Sequence, residues 1–122
     1  MYQAAKEAVA EGFTAIKFDP LLDGYQDMTQ DRMIKSVCEI VAAAREGGGA
    51  ELDLIAEVHR KLTPMNSIAL AETLTEYNLY FIEDPIQIDS VISQAEMANR
   101  IYIPIGNGER LTTIWEFREL LE

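Results

Sequence analysis

One cysteine in 122 residues, Cys38, cannot form an intramolecular disulfide, and no Cys/His cluster has zinc spacing. Basic residues are scarce as well: ten Lys and Arg stand against twenty-one Asp and Glu, for a net charge of −11. Such a surface repels a phosphate backbone and an anionic bilayer alike, so neither nucleic acid nor a membrane is an expected partner. No run approaches the roughly 20 apolar residues that span a bilayer, and the opening Met1-Tyr-Gln-Ala-Ala-Lys6 lacks the apolar core of a signal peptide. The expected location is cytoplasmic. Two glycine clusters carry no phosphate chemistry. Gly47-Gly-Gly49 lacks the Lys-Ser/Thr of a phosphate loop, Gly106-Asn-Gly108 stops short of a dinucleotide fingerprint, and both read as turns. What the chain does have is apolar content, 48% of its residues, enough at an ordinary single-domain length to bury a core.

Periods of 3.6 and 2 alternate along it. Tyr2, Ala5 and Val9 mark one face of a first helix, with Gly12 at its C-terminal end. A strand over Phe13 to Asp19 follows, then a polar loop, then a helix from about Thr29 to Glu46 whose buried stripe is Met33, Ile34, Val37, Ile40, Val41 and Ala44, with Cys38 packed in the same face. Gly47-Gly-Gly49 ends it. After a second strand, Thr63-Pro64 has the form of an N-cap and first helical residue, with Leu70, Leu74 and Tyr77 inward. Asp89 or Ser90 caps the next helix, which turns Val91, Ile92, Ala95 and Ala98 inward. A capping box, Thr113-Ile-Trp-Glu116, opens the last, burying Ile114, Phe117 and Leu121, with Trp115 also as packing. The fold class is α/β: a helix, then four βα units with parallel strands, half of an eight-unit (β/α)₈ barrel of about 250 residues. Half a barrel leaves two open sheet edges, and self-association into a homo-oligomer is expected.

Glu57, Glu83 and Glu109 stand at spacings of 26 and 26 residues, one βα unit each, and each closes an apolar strand-like run. On parallel strands their carboxylates share the C-terminal rim, where barrels of this kind do chemistry. Together they would repel, and a divalent cation that prefers oxygen ligands lets all three stay ionised; the set reads as a Mg²⁺ site. The strand period places Lys17 and Asp19 on one side, with Ile55, Glu57 and His59, with Phe81 and Glu83, and with Ile105, Asn107 and Glu109, all facing inward. Buried charges need a partner or a metal. Two alternatives stay open: Lys17 pairing with Asp19, or a register displaced by one. Asp84 belongs on the opposite face, orienting Pro85 and nearby backbone.

Taken in order, Ala15-Ile-Lys-Phe-Asp-Pro20, Glu57-Val-His-Arg-Lys-Leu-Thr-Pro64, Phe81-Ile-Glu-Asp-Pro85 and Pro104-Ile-Gly-Asn-Gly-Glu-Arg-Leu111 resemble the barrel domain of the enolase superfamily. The resemblance is strongest to the mannonate, gluconate and galactonate dehydratases of its mandelate racemase/muconate lactonizing enzyme branch. It implies that residues 1–122 are the central part of that domain, with the N-terminal capping domain and the remaining strands absent. It implies that Glu57, Glu83 and Glu109 are the Mg²⁺ ligands, although the first ligand is more often Asp. It assigns His59 to general acid catalysis, a task suited to an imidazole because that ring exchanges its proton near neutrality.

The same resemblance argues against racemase or cycloisomerase chemistry, since Lys17-Phe-Asp19 replaces the usual Lys-x-Lys pair. Lys17 then tunes local charge or touches the substrate carboxylate. Tyr25 matches the tyrosine base of mannonate dehydratase-like proteins, or is an ordinary loop residue. Asp19 and Arg110 are the expected substrate contacts. The implied reaction dehydrates an acid sugar, an aldonate, to a 2-keto-3-deoxy acid through a metal-stabilised enediolate. The alternative is a catalytically incomplete half-barrel that binds metal and self-associates.

Overall fold

The computed structural model describes residues 1–87 and 90–122. Helix α1 (Tyr2–Ala10) is followed by strand β1 (Ala15–Phe18), α2 (Gln30–Gly48), β2 (Asp53–Glu57), α3 (Pro64–Leu74), β3 (Phe81–Glu83), α4 (Val91–Ala98), β4 (Ile105–Gly106) and α5 (Ile114–Leu121). This is the expected helix and four βα units. The strands form one parallel sheet in the order β1-β2-β3-β4, and α2, α3 and α4 supply the crossovers that parallel neighbours require. Among the described residues no helix is long and apolar enough to cross a membrane.

Local sequence sets the helix starts. The hydroxyls of Thr29, Thr63, Ser90 and Thr113 accept from the N–H groups of Arg32, Asn66, Ser93 and Glu116. Each satisfies one of the donors that a first turn leaves free, a contribution of about 1 kcal/mol apiece. Glu116 completes the capping box by accepting from the Thr113 N–H at 2.8 Å. The alternative cap, Asp89, lies outside the described residues.

One face of the sheet is packed and the other open. Leu54 and Ala56 of β2 and Ile82 of β3 point to the helices, where they meet fully buried Val37 and Val41 of α2 and Leu70 and Leu74 of α3. Each such aliphatic side chain contributes roughly 1.5–3 kcal/mol by leaving water. Ile16 and Phe18 of β1 and Ile105 of β4 pack against the same core, as does half-buried Cys38, whose thiol is pushed up by that burial. The opposite face carries Lys17, Ile55, Glu57, Phe81 and Glu83.

Four expectations are corrected. Helix α2 runs through Gly47 and Gly48 instead of stopping at Glu46, because both glycines allow close contact: a Cβ on Gly47 would lie 2.1 Å from the Tyr2 carbonyl oxygen, and one on Gly48 would lie 2.3 Å from Leu52. Strand β4 is offset by one residue. Ile105 pairs with Ile82 and Gly106 with Glu83, so Ile105 and Asn107 face the helices and Gly106 lies on the open face, where a Cβ would come within 3.0 Å of the Phe81 ring. Helix α4 buries Gln94 and Met97, not Val91, Ile92, Ala95 and Ala98. Gln94 is tolerated inside because its amide donates to the Ile86 and Gln87 carbonyls and accepts from Asn107. Helix α5 buries none of its residues. Ile114, Trp115 and Leu121 are exposed, and an open groove of about 460 Å³ between α4, β4 and α5 is lined by Val91, Ala95, Ala98 and Leu121.

Candidate metal centre

At the C-terminal rim, Glu57 and Glu83 are direct register partners on β2 and β3. Glu57 is only 4% exposed. Lys17, from the middle of β1, reaches both: its Nζ donates to Glu57 Oε2 at 3.1 Å and to both Glu83 oxygens at 3.0 Å. The pairing of Lys17 with Asp19, one of the two open alternatives, is therefore not the one formed.

Just beyond the strands the backbone turns left-handed, with φ of 55° at His59, 59° at Arg60 and 41° at Asp84. These turns override the strand alternation and decide which side chains meet. The His59 N–H donates to Glu57 Oε1 at 3.1 Å, and its Nδ1 lies 3.8 Å from that oxygen and 3.5 Å from Asp19 Oδ2. Asp84, expected on the opposite face, is instead turned back toward the rim. It is 1% exposed, accepts from the Gly108 N–H at 3.1 Å through Oδ1, and leaves Oδ2 buried without a partner. Among the described residues, Glu57, Glu83 and Asp84 place ligand atoms within 4.8 Å of one another.

Glu109 is not in that group; it pairs with Arg60. Asp19 pairs with Lys61 and accepts from the Leu21 N–H at 2.9 Å. Tyr25, on a short 3₁₀ turn at Tyr25–Asp27, donates its hydroxyl to the Lys61 carbonyl at 3.2 Å, which ties its loop to the one bearing His59. Arg110 is exposed. Asp84 departs from its expected face because a period of 2 cannot anticipate a left-handed residue after a strand end.

Protonation follows from this packing. Burial drives Glu83 above the ordinary carboxylate range, and its shared contact with Glu57 adds to the effect against the pull of Lys17. Burial acts on Glu57 in the same sense but is outweighed by the His59 N–H, Glu83 and Lys17, so Glu57 sits below its ordinary value. Asp84 is raised by burial, against the Gly108 N–H. Bonds to Glu83 and then to Glu57 hold the Lys17 ammonium above its ordinary value. The donor set fits a hard divalent cation: carboxylate oxygens within 4.8 Å of one another, with a buried acceptor, Asp84 Oδ2, left without a partner, which is costly unless a cation or proton supplies the missing contact.

The sequence profile of the enolase C-terminal domain-like family matches residues 1–122. Over 113 residues the chain is 33% identical to a D-gluconate/D-galactonate dehydratase of Picrophilus torridus, covering 93% of this chain and 29% of that protein. It is 29% identical over 119 residues to a D-gluconate dehydratase of Thermoproteus tenax, covering 98% of this chain and 24% of that protein. Among solved structures, a member of the enolase superfamily from Salmonella Typhimurium superposes with a TM-score of 0.91 at 28% identity, over 98% of this chain and 33% of that one. A mandelate racemase subgroup enolase from Agrobacterium tumefaciens gives 0.90 at 28% identity, over 98% of this chain and 34% of that one. The chain thus spans about a quarter to a third of the length of the proteins it matches.

Proposed function

This chain belongs to the enolase C-terminal domain-like family, and we propose that the protein dehydrates an acid sugar, an aldonate, to a 2-keto-3-deoxy acid with Mg²⁺ as cofactor. In this reading β1 to β4 are the second to fifth strands of a (β/α)₈ barrel, residues 1–122 form its central part, and the capping domain and other strands lie outside them. The observation that carries it is the Glu57–Glu83 pair, set side by side on adjacent strands with a further acid, Asp84, against it. Dehydratase relatives at 33% and 29% identity supply the substrate class.

Glu57, Glu83 and Glu109 are the ligands proposed for the metal, Glu109 exchanging Arg60 for it. Mg²⁺ held there would supply a Lewis acid for the negative charge that develops on the substrate. The chain's own side chains do the rest. A base removes the proton from the carbon beside the carboxylate; Tyr25 is the candidate, held at this rim by its bond to the Lys61 carbonyl. The electron pair released forms a double bond to the next carbon as its hydroxyl departs, taking a proton from His59, and water is lost. The enol left behind tautomerises to the 2-keto-3-deoxy acid. Asp19 and Arg110 are proposed substrate contacts; Asp19 sits 3.5 Å from the His59 ring and suits orientation of both the imidazole and a sugar hydroxyl. Lys17 balances the charge of Glu57 and Glu83 or meets the substrate carboxylate.

The test is turnover of an aldonate panel that includes gluconate, galactonate and mannonate, read by keto-acid formation, with Glu83→Gln and His59→Asn as variants. Mg²⁺-dependent keto acid, lost in both variants, is expected. Turnover of none of the panel, or racemisation in place of dehydration, overturns the reading.

A further inference from the structure

Asp84 is not among the ligands proposed above, yet its backbone and side chain tie the loops of the rim together. Its carbonyl accepts from the Arg60 N–H at 2.6 Å and its N–H donates to the Gly106 carbonyl at 2.7 Å, so its backbone joins the loop after β2 to the loop after β4. Its side chain adds a third tie, from Oδ1 to the Gly108 N–H at 3.1 Å. Gly108 stands immediately before Glu109. With φ at 123° it occupies backbone space that other residues rarely enter, and a Cβ there would lie 2.7 Å from the Phe117 ring. The loop that presents Glu109 is therefore held from two sides, by Phe117 of α5 outside and by the Asp84 carboxylate inside. A buried carboxylate left-handed at φ 41° is an expensive way to end a strand.

We infer that Asp84 is a positioning residue of the metal centre, whose side-chain bond to the Gly108 N–H fixes the reach of Glu109 toward Glu57 and Glu83. The inference rests on the ligand set proposed above. It assigns Asp84 an action through Glu109 and not through its charge, which separates it from a fourth ligand. Outer partners of this kind typically change metal affinity by about 10–100-fold.

The experiment is calorimetric Mg²⁺ titration of the chain and of Asp84→Ala, Asp84→Asn, Glu83→Gln, Glu109→Gln and the Asp84→Ala/Glu109→Gln double variant, with Gly108 amide exchange followed by NMR. Asp84→Ala is expected to bind about tenfold or more weakly. Asp84→Asn, which keeps an acceptor for Gly108, is expected to bind within a few-fold of wild type with the Gly108 amide still protected. In the Glu109→Gln background Asp84→Ala should add no further loss. Asp84→Asn keeps the test decisive even if the alanine variant does not fold: a tenfold loss with Gly108 still protected overturns the positioning role. An undiminished Asp84→Ala effect without Glu109 also overturns it. Wild-type affinity in Asp84→Ala beside a loss in Glu83→Gln overturns the Asp84 role alone, whereas a chain that binds no Mg²⁺ at all overturns the ligand set with it.

Discussion

Replacing Lys17 by Met removes the cation that, among the described residues, bridges Glu57 and Glu83, and leaves the alkyl stem in place. Carboxylate oxygens of these residues lie within 4.8 Å, where two unit charges repel by roughly 3–4 kcal/mol at an effective dielectric of 20. The net cost is smaller. The Lys17 side chain is 49% exposed and that of Glu83 22%, so water screens the pair and proton uptake by Glu83 relieves part of the repulsion; about 1–2 kcal/mol of stability is expected to be lost without metal. The sign at neutral pH is clear. Lys17 is raised above its ordinary 10.5, so its contribution is complete below that value and disappears only as pH rises through the raised one. For a domain of this size the melting temperature should drop by roughly 4–10 °C in EDTA. Mg²⁺ should reverse the loss and raise the melting temperature of Lys17→Met more than that of the wild type, because the cation no longer competes with an ammonium group for the same oxygens. Thermal melts across a Mg²⁺ series give both quantities. An unchanged melting temperature in EDTA, or a smaller Mg²⁺ response in the variant, would refute the view that Lys17 and the metal answer to the same two carboxylates.

Acidification should weaken Mg²⁺ binding as pH falls through the raised value of Glu83 toward its ordinary 4.5, since the metal needs the carboxylate and burial favours the acid. Metal-free stability has the opposite Glu83 contribution in that window, because a folded-state value above the unfolded one makes ionisation unfavourable to folding, while Glu57, lowered, loses its contribution as pH falls through its own value; titration calorimetry at stepped pH reads the first effect, and affinity rising on acidification would contradict it. Gly47→Ala gains up to about 1 kcal/mol of helix propensity, yet its Cβ would lie 2.1 Å from the Tyr2 carbonyl, so urea unfolding should show a net loss of about 1–3 kcal/mol; a more stable variant would mean that α1 moves away freely. The chain at micromolar concentration should self-associate, since Ile114, Trp115, Leu121 and Tyr102 all lie exposed; light scattering from a compact monomer would rule that out.

Much of this was legible in the sequence where the cause is local. The Thr63 cap, Ser90 as one of the two caps expected for α4, and the Thr113–Glu116 box need only their own turns, and period-2 alternation was enough to set Glu57 beside Glu83 because β2 and β3 keep regular pairing up to both residues. The errors arise where a neighbour decides. β4 has only two paired residues, too few for alternation to define a face, and its offset is set by the space that Gly106 leaves for Phe81. The inward face of α4 was read from apolar residues, whereas the packing chose Gln94, whose hydrogen bonds to Ile86, Gln87 and Asn107 no hydropathy pattern displays. Asp84 and His59 depend on left-handed turns at non-glycine residues, for which a sequence carries little signal.

Charge balance connects these corrections to the chemistry. Around the rim, Asp19, Glu57, Glu83, Asp84 and Glu109 face Lys17, Arg60 and Lys61, and each of these three bases holds a carboxylate. Without a metal, burial holds Glu83 and Asp84 above their ordinary values. In the ligand set proposed above, Arg60 must release Glu109 to the metal. On that proposal, metal affinity, the Asp84–Gly108 tie and the Arg60–Glu109 pair are parts of one equilibrium. A variant that loosens Arg60 from Glu109 should strengthen Mg²⁺ binding, while one that loosens Gly108 from Asp84 should weaken it, although both disturb the same loop.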